Sequence, residues 1–434
     1  MKRLLASVLI LAVQATQAQI GLPSVRLPLP AQIQLPARSA LESTVQERPL
    51  ESTHLQRIRE LLRRNRAMLE SDPRGAPIVR SEILALSPSD AQLAAAQAAG
   101  FAVARTRLLE GWGARLVVLQ APQGVATRRA LERLRALMPA VPLDFNHIYL
   151  ESAASPEEPI GTRSPMTPTQ AAAQSGHGRV GLIDTGIDVA HPVFAEVSIH
   201  SHGCAAGQIP AAHGTAVASL IVGRTADFHG AAAGMELYAA DVYCGLATGG
   251  AVDSVVEALA WLAHESVPVI NVSLVGPSNV MLAAAIQRMI ARGHLIVAAV
   301  GNEGPAAAPL YPASYPGVVG VTAVDARRHV LIEACQGPQV QFAAPGADMA
   351  AARSPDTFEI VRGTSFAAPL VAGLLASLVS ETDPTAAEQA VRELSRQAID
   401  LGAPGRDKTY GYGLVGADLG PQPKLANLRA PPAE

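Results

Sequence analysis

Residues 179–188, RVGLIDTGID, carry an unbroken apolar strand into an aspartate and then a Thr-Gly turn. A strand apolar on both faces needs cover on both sides, which alternating helices supply. Downstream the alternation continues. A helix from His213 to Val222 is followed by the strand LYAADVY (237–243), a helix near Ser254–His264, the strand VPVINVSL (267–274) and a helix near Leu282–Arg292. HLIVAAV (294–300) and GVVGVTAV (317–324) are further apolar strands. This order predicts an α/β fold with a doubly wound, mostly parallel sheet.

In such a sheet the functional site gathers where strands end and helices begin. Three residues stand at those boundaries: Asp184 at the end of RVGLID, His213 opening the helix in AAHGTAVASLI (211–221), and Ser365 opening the helix in RGTSFAAPLVAG (362–373). Each has an ordinary reading. Serine before a helix is a cap, Asp-Thr-Gly is a turn, and a histidine beside glycine is a hydrogen-bonded core or surface residue. Together they supply a nucleophile, a base to take its proton and a carboxylate to fix the base's tautomer. Asn302, between Gly301 and Glu303 in HLIVAAVGNEGP (294–305), suits a plain turn. Its amide also suits an oxyanion, alongside the Ser365 backbone N–H.

The segments LIDTGID, HGTAVASLI, INVSL, VAAVGNEGP, FAAPG and GTSFAAPLVAG, in that order, resemble the subtilisin-like serine proteases over roughly residues 175–416. The resemblance implies an endopeptidase working through an acyl-enzyme, with Asp184, His213 and Ser365 as triad and Asn302 as oxyanion donor. It implies that substrate lies as an added strand along Ser273, Leu274 and Val275, and that Gly301 and Leu310 border the pocket for the residue before the cut. Val275 and Leu310 replace glycines common in the family. Leucine at the pocket bottom implies a preference for small residues such as alanine. No cofactor is implied as required; the family's structural calcium has no compact acidic cluster here to which it can be assigned.

The resemblance also gives a meaning to residues 77–150. Strand, helix, strand, strand, helix, strand is the order of a ferredoxin-like split βαβ sandwich, similar to the family's inhibitory propeptide, an intramolecular inhibitor cut from the enzyme. Two junctions compete: after Tyr149, by alignment of DFNHIY, or at Ala153 or Ala154, which suit a narrow pocket. The alanines are preferred.

Around these units the chain divides into an expected export signal at 1–18, a proline-rich linker and basic helix at 19–76 with the helix expected over 42–71, a polar linker at 151–168, the catalytic unit at 169–420 and a loose tail at 421–434. MKRLLASVLILAV has two cations and then an apolar run shorter than the ~20 residues a membrane span needs. The expected location is periplasmic or extracellular, with no membrane span after signal removal. A net charge of -3 gives no reason for nucleic acid as partner; protein or peptide substrates are expected. Three cysteines leave one over. Either all are buried as small hydrophobes, or Cys204 and Cys244 bridge beside the histidine helix and Cys335 stays free. Two rivals are an inactive subtilisin-like binding protein that retains its propeptide and an esterase, although G-T-S differs from the esterase G-x-S-x-G.

Overall fold

A computed structural model describes residues 50–152, 178–204 and 207–420. The expected signal, residues 153–168 of the linker and the tail from Pro421 lie outside the described residues. The basic helix expected over 42–71 is α1, Leu50–Arg64, followed by β1, Leu69–Ser71, which pairs antiparallel with the next strand. Asp72 ends the helical reading: its carboxylate accepts the backbone N–H groups of Arg74 and Ala76 and closes a turn.

The small sandwich consists of β2 (Pro77–Leu86), α2 (Asp90–Ala98), β3 (Ala102–Leu109), β4 (Ala114–Gln120), α3 (Thr127–Leu137) and β5 (Leu143–Glu151). Its strands lie in the order β5-β2-β4-β3, all antiparallel. Ile83, Leu119, Leu131, Leu134 and Phe145 bury its core between sheet and helices. Pro88 directly precedes the N-cap of α2, Ser89. Ser89 accepts from the Gln92 N–H while Gln92 Oε1 accepts from the Ser89 N–H, so both free donors are satisfied.

The larger layer holds β6 (Arg179–Asp184), β7 (Ile199–His202), α4 (Ala212–Val222), β8 (Glu236–Asp241), β9 (Gly250–Ala251), α5 (Val252–His264), β10 (Val269–Val272), β11 (Leu274–Val275) and α6 (Val280–Ala291). It continues with β12 (Leu295–Ala299), β13 (Val319–Val324), β14 (Val340–Pro345), the hairpin β15 (Met349–Arg353) and β16 (Thr357–Val361), α7 (Thr364–Ala376) and α8 (Pro384–Gln397). The strand order β14-β13-β12-β10-β6-β8-β7 is parallel throughout. Apolar clusters cover both faces, one including α4 and α7, the other α5 and α6. Between its neighbours β8 and β10, β6 is where the winding reverses, so Asp184 ends at the crevice that such sheets open.

β5 belongs to both units. It pairs antiparallel with β2 over its first part, and with β9 and β11 over its last residues. Beside it, Asp144 Oδ2 accepts the Val280 N–H (2.8 Å) and Asn146 Oδ1 accepts the Asp253 N–H (3.2 Å), which satisfies free donors in the first turns of α6 and α5. Arg105 and Arg107 both reach Asp253 Oδ2 at 2.8 Å, and Arg105 also grips Glu82.

Candidate active site

β6 delivers Asp184 fully buried. The Thr185 backbone N–H donates to Asp184 Oδ1 at 2.7 Å, and His213 Nδ1 lies 2.7 Å from the same oxygen. α4 can bring His213 this close because Gly214 has no side chain: a Cβ there would stand 2.3 Å from the Thr185 carbonyl oxygen. With Nδ1 tied to a carboxylate, Nε2 becomes the proton-accepting nitrogen.

Ser365 is the second residue of α7, and the Phe366 ring after it packs 5.4 Å from the His213 ring, centroid to centroid. Its carbonyl accepts from Ser273 Oγ at 3.1 Å, and Ser273 Oγ accepts from Asn271 Nδ2 at 2.8 Å, which fixes the start of α7 against the end of β10. Ser365 Oγ and His213 Nε2 are both buried without a hydrogen-bond partner among the described residues. Burial works against a charged His213, but Asp184 and then Glu151 outweigh it and raise its pKa to about 9.

The chain's own β5 runs through this cleft. Leu150 pairs with Val275 and Glu151 with Leu274, and the Ser152 N–H donates to the Ser273 carbonyl at 3.3 Å. Tyr149 and Ile148 pair with Gly250 and Ala251 on the other side. An extended segment held between two short strands is the geometry of peptide bound by strand addition. Ser152 is buried with its hydroxyl 3.1 Å from Thr364 Oγ1 and 3.5 Å from Asn302 Nδ2, while Asn302 Oδ1 accepts the Thr364 N–H at 3.1 Å.

Thus Asp184 and His213 are in direct contact, Ser365 adjoins them through Phe366, Asn302 and Ser273 contact Ser152, and Leu274 and Val275 pair with Glu151 and Leu150. Gly301 has a left-handed φ of 106° and donates to Thr364 Oγ1 at 3.3 Å. Leu310 lines the same cavity as Gly276 and Tyr311. Of the two expected junctions, Tyr149 sits three residues upstream of Ser152, and the alanines lie outside the described residues. Cys204 and Cys244 are bonded, Cα atoms 5.5 Å apart, and Asp241 beneath them accepts the N–H groups of Tyr243, Cys244 and Ile209. Cys335 is free and buried. Sequence reasoning missed Ser152, Thr364 and Gly276. The last two were legible only as neighbours of motif residues, and Ser152 had no signal of its own.

A family model described as the subtilase family matches residues 178–413. Subtilisin DY of Bacillus licheniformis is 32% identical over 252 residues, 56% of this chain and 90% of that protein. Subtilisin Savinase of Lederbergia lenta is 32% identical over 249 residues, 55% of this chain and 89% of that protein. In fold the chain is similar to fervidolysin from Fervidobacterium pennivorans, a keratinolytic enzyme related to subtilisin. The TM-score is 0.62 at 20% identity, covering 82% of this chain and 61% of fervidolysin. With a matching family model over more than half its length and relatives spanned almost end to end, this chain belongs to the subtilase family of serine endopeptidases.

Proposed function

We propose that the chain is an exported, self-inhibited precursor that cuts itself between Ser152 and Ala153. In this reading Ser365 attacks the Ser152 carbonyl carbon, His213 takes the Ser365 proton at Nε2, and Asp184 holds the imidazole through Nδ1. Asn302 Nδ2 and the Ser365 backbone N–H stabilise the oxyanion. His213 then passes its proton to the leaving Ala153 nitrogen, and water releases the acyl group from Ser365. The sandwich of residues 77–150 stays on as inhibitor through β5, and protein substrates later take the same strand position. No described helix is long and apolar enough to cross a membrane.

The supporting observation is the register: β5 continues past the sandwich into the cleft and brings the Ser152 carbonyl to the face of Gly363 where the Asn302 amide lies. The full-length chain and its Ser365→Ala variant, exported side by side, test the reading by N-terminal sequencing and mass. A new N-terminus at Ala153 in the wild type alone is expected. Both chains remaining uncut would overturn self-processing and favour an inactive subtilisin-like binding protein that keeps its propeptide.

A further inference from the structure

Helix α1 lies ahead of the sandwich in sequence and has no part in the chemistry, yet it has an apolar face. Leu55, Ile58, Leu61 and Leu62 fall at the three- and four-residue spacing of one side of a helix. Among the described residues, the sandwich core includes none of the four. Leu55 and Ile58 instead face a cavity of about 500 Å³ whose other walls include Leu150, Val275 and Leu310. Arg57 and Leu61 line a second cavity with Leu150, Glu151 and Tyr243. Leu150 borders both, so α1 crosses β5 at Leu150 and Glu151, the two residues before Ser152. Burial acts most on the His213 pKa and Asp184 and Glu151 next, but the Arg57 charge also reaches it, opposing an imidazolium.

The two ends of this arrangement are held differently. At the C-terminal end Asn65 Nδ2 donates to the Leu61 carbonyl at 3.0 Å, and Arg80 of β2 donates from Nε to the Arg66 carbonyl and from Nη2 to the Leu69 carbonyl, each at 3.0 Å. β1 then pairs with β2. Over the cleft the seat is light: Leu55 is 51% exposed and Ile58 and Leu61 are half-buried. The helix is thus an arm fastened to the sandwich and laid across the strand that fills the cleft.

Resting on the self-processing reading above, we propose that α1 is a second inhibitory element, a lid over β5, so that cutting after Ser152 does not by itself open the cleft. Substrate replaces β5 only after α1 lifts. Residues 65–68 tether lid to sandwich, and two contacts joined by a short tether hold far longer than either alone, because each keeps the other at high effective concentration.

The test follows the exported full-length chain in time, reading the cut after Ser152 by mass and activity on a chromogenic peptide, with melting curves to verify folding. Leu55→Asp with Ile58→Asp puts carboxylates on the lid's apolar face, outside the sandwich core. It is expected to leave the rate of the cut unchanged and to shorten the lag between cut and peptide hydrolysis at least about tenfold. Deletion of residues 50–64 is expected to do the same, should the double variant fail to fold. Leu55→Met with Ile58→Met keeps the face apolar and is expected to keep the wild-type lag. An unchanged lag in the folded, cut Asp variant or deletion, or wild-type activity that appears with the cut and without a lag, overturns the lid and leaves self-processing standing. A wild type that does not cut itself overturns both.

Discussion

The carbonyl oxygen of Ser152 and the side-chain amide of Asn302 lie over the same face of Gly363, at 3.6 and 3.0 Å from the point where a Cβ on that glycine would sit. An amide placed there matters most when the carbonyl oxygen becomes negative. Asn302→Ala is therefore expected to lower kcat by about 10² to 10³ with little change in KM. Steady-state kinetics on a peptide substrate check it, and an unchanged kcat would remove Asn302 from the mechanism.

The raised His213 pKa makes a pH profile the next measurement. Only neutral imidazole accepts the Ser365 proton, and with a pKa of about 9 only about 1% is neutral at pH 7. Self-cleavage should therefore accelerate about tenfold per pH unit from 7 and level off above 9. Glu151 contributes to that elevation. Glu151→Gln should shift the profile to lower pH; a shift upward, or a flat profile, would contradict this account.

Asp253 is buried, and although burial works to raise its pKa, Arg105 and Arg107 hold it below the usual carboxylate range. Removing both arginines leaves the Asp253 charge without a counter-ion, held only by the Asn146 amide at 2.9 Å, a defect that costs about 3–5 kcal/mol in comparable buried pairs. In the processed complex, Arg105→Ala with Arg107→Ala should weaken binding of the cut inhibitor by about 10² to 10³. Inhibition titrations read this directly. Equal affinity would mean that β5 alone carries the inhibitor.

The Cys204–Cys244 bridge closes a loop with a sequence separation of 40. Chain entropy alone assigns such a loop about 4 kcal/mol. Cys204→Ser with Cys244→Ser should lower the midpoint of urea unfolding and, because the unfolded chain loses its cross-link, steepen the slope. The same midpoint in reduced and oxidised chains would refute a stabilising role.

Close packing predicts a fifth effect. Gly214→Ala places a methyl 2.3 Å from the Thr185 carbonyl, which must move α4 away from β6. Stability should fall by about 1–3 kcal/mol, and activity should fall further, since the His213 to Asp184 distance of 2.7 Å changes with the same movement. Thermal melting and kinetics together distinguish the two.

Much of this was legible in the chain. Unbroken apolar strands such as Val180–Ile183 and Leu295–Ala299 are buried on both faces, and that burial is written in composition. Asp184, His213 and Ser365 stood out because each follows or opens such an element. The helix over 42–71 was misread because Leu69 and Met68 continue a helical spacing, whereas the Asp72 turn folds Leu69–Ser71 back onto β2. Turn hydrogen bonds of that kind leave little trace in periodicity.

The residues themselves determined the parallel sheet, the order Asp, His, Ser along it, and a separate small sandwich ahead of it, because hydrophobic pattern and residue type are local properties. Which bond of the chain lies in the cleft was decided only by the tertiary structure. That choice depends on how far β5 slides against β11: Leu150 faces Val275 and Glu151 faces Leu274, and a shift by one residue would reverse every side chain and move Ser152 off Asn302. The register is fixed by burial of Tyr149 against Gly276 and by Asp144 and Asn146 on two helix starts, contacts between residues more than a hundred positions apart.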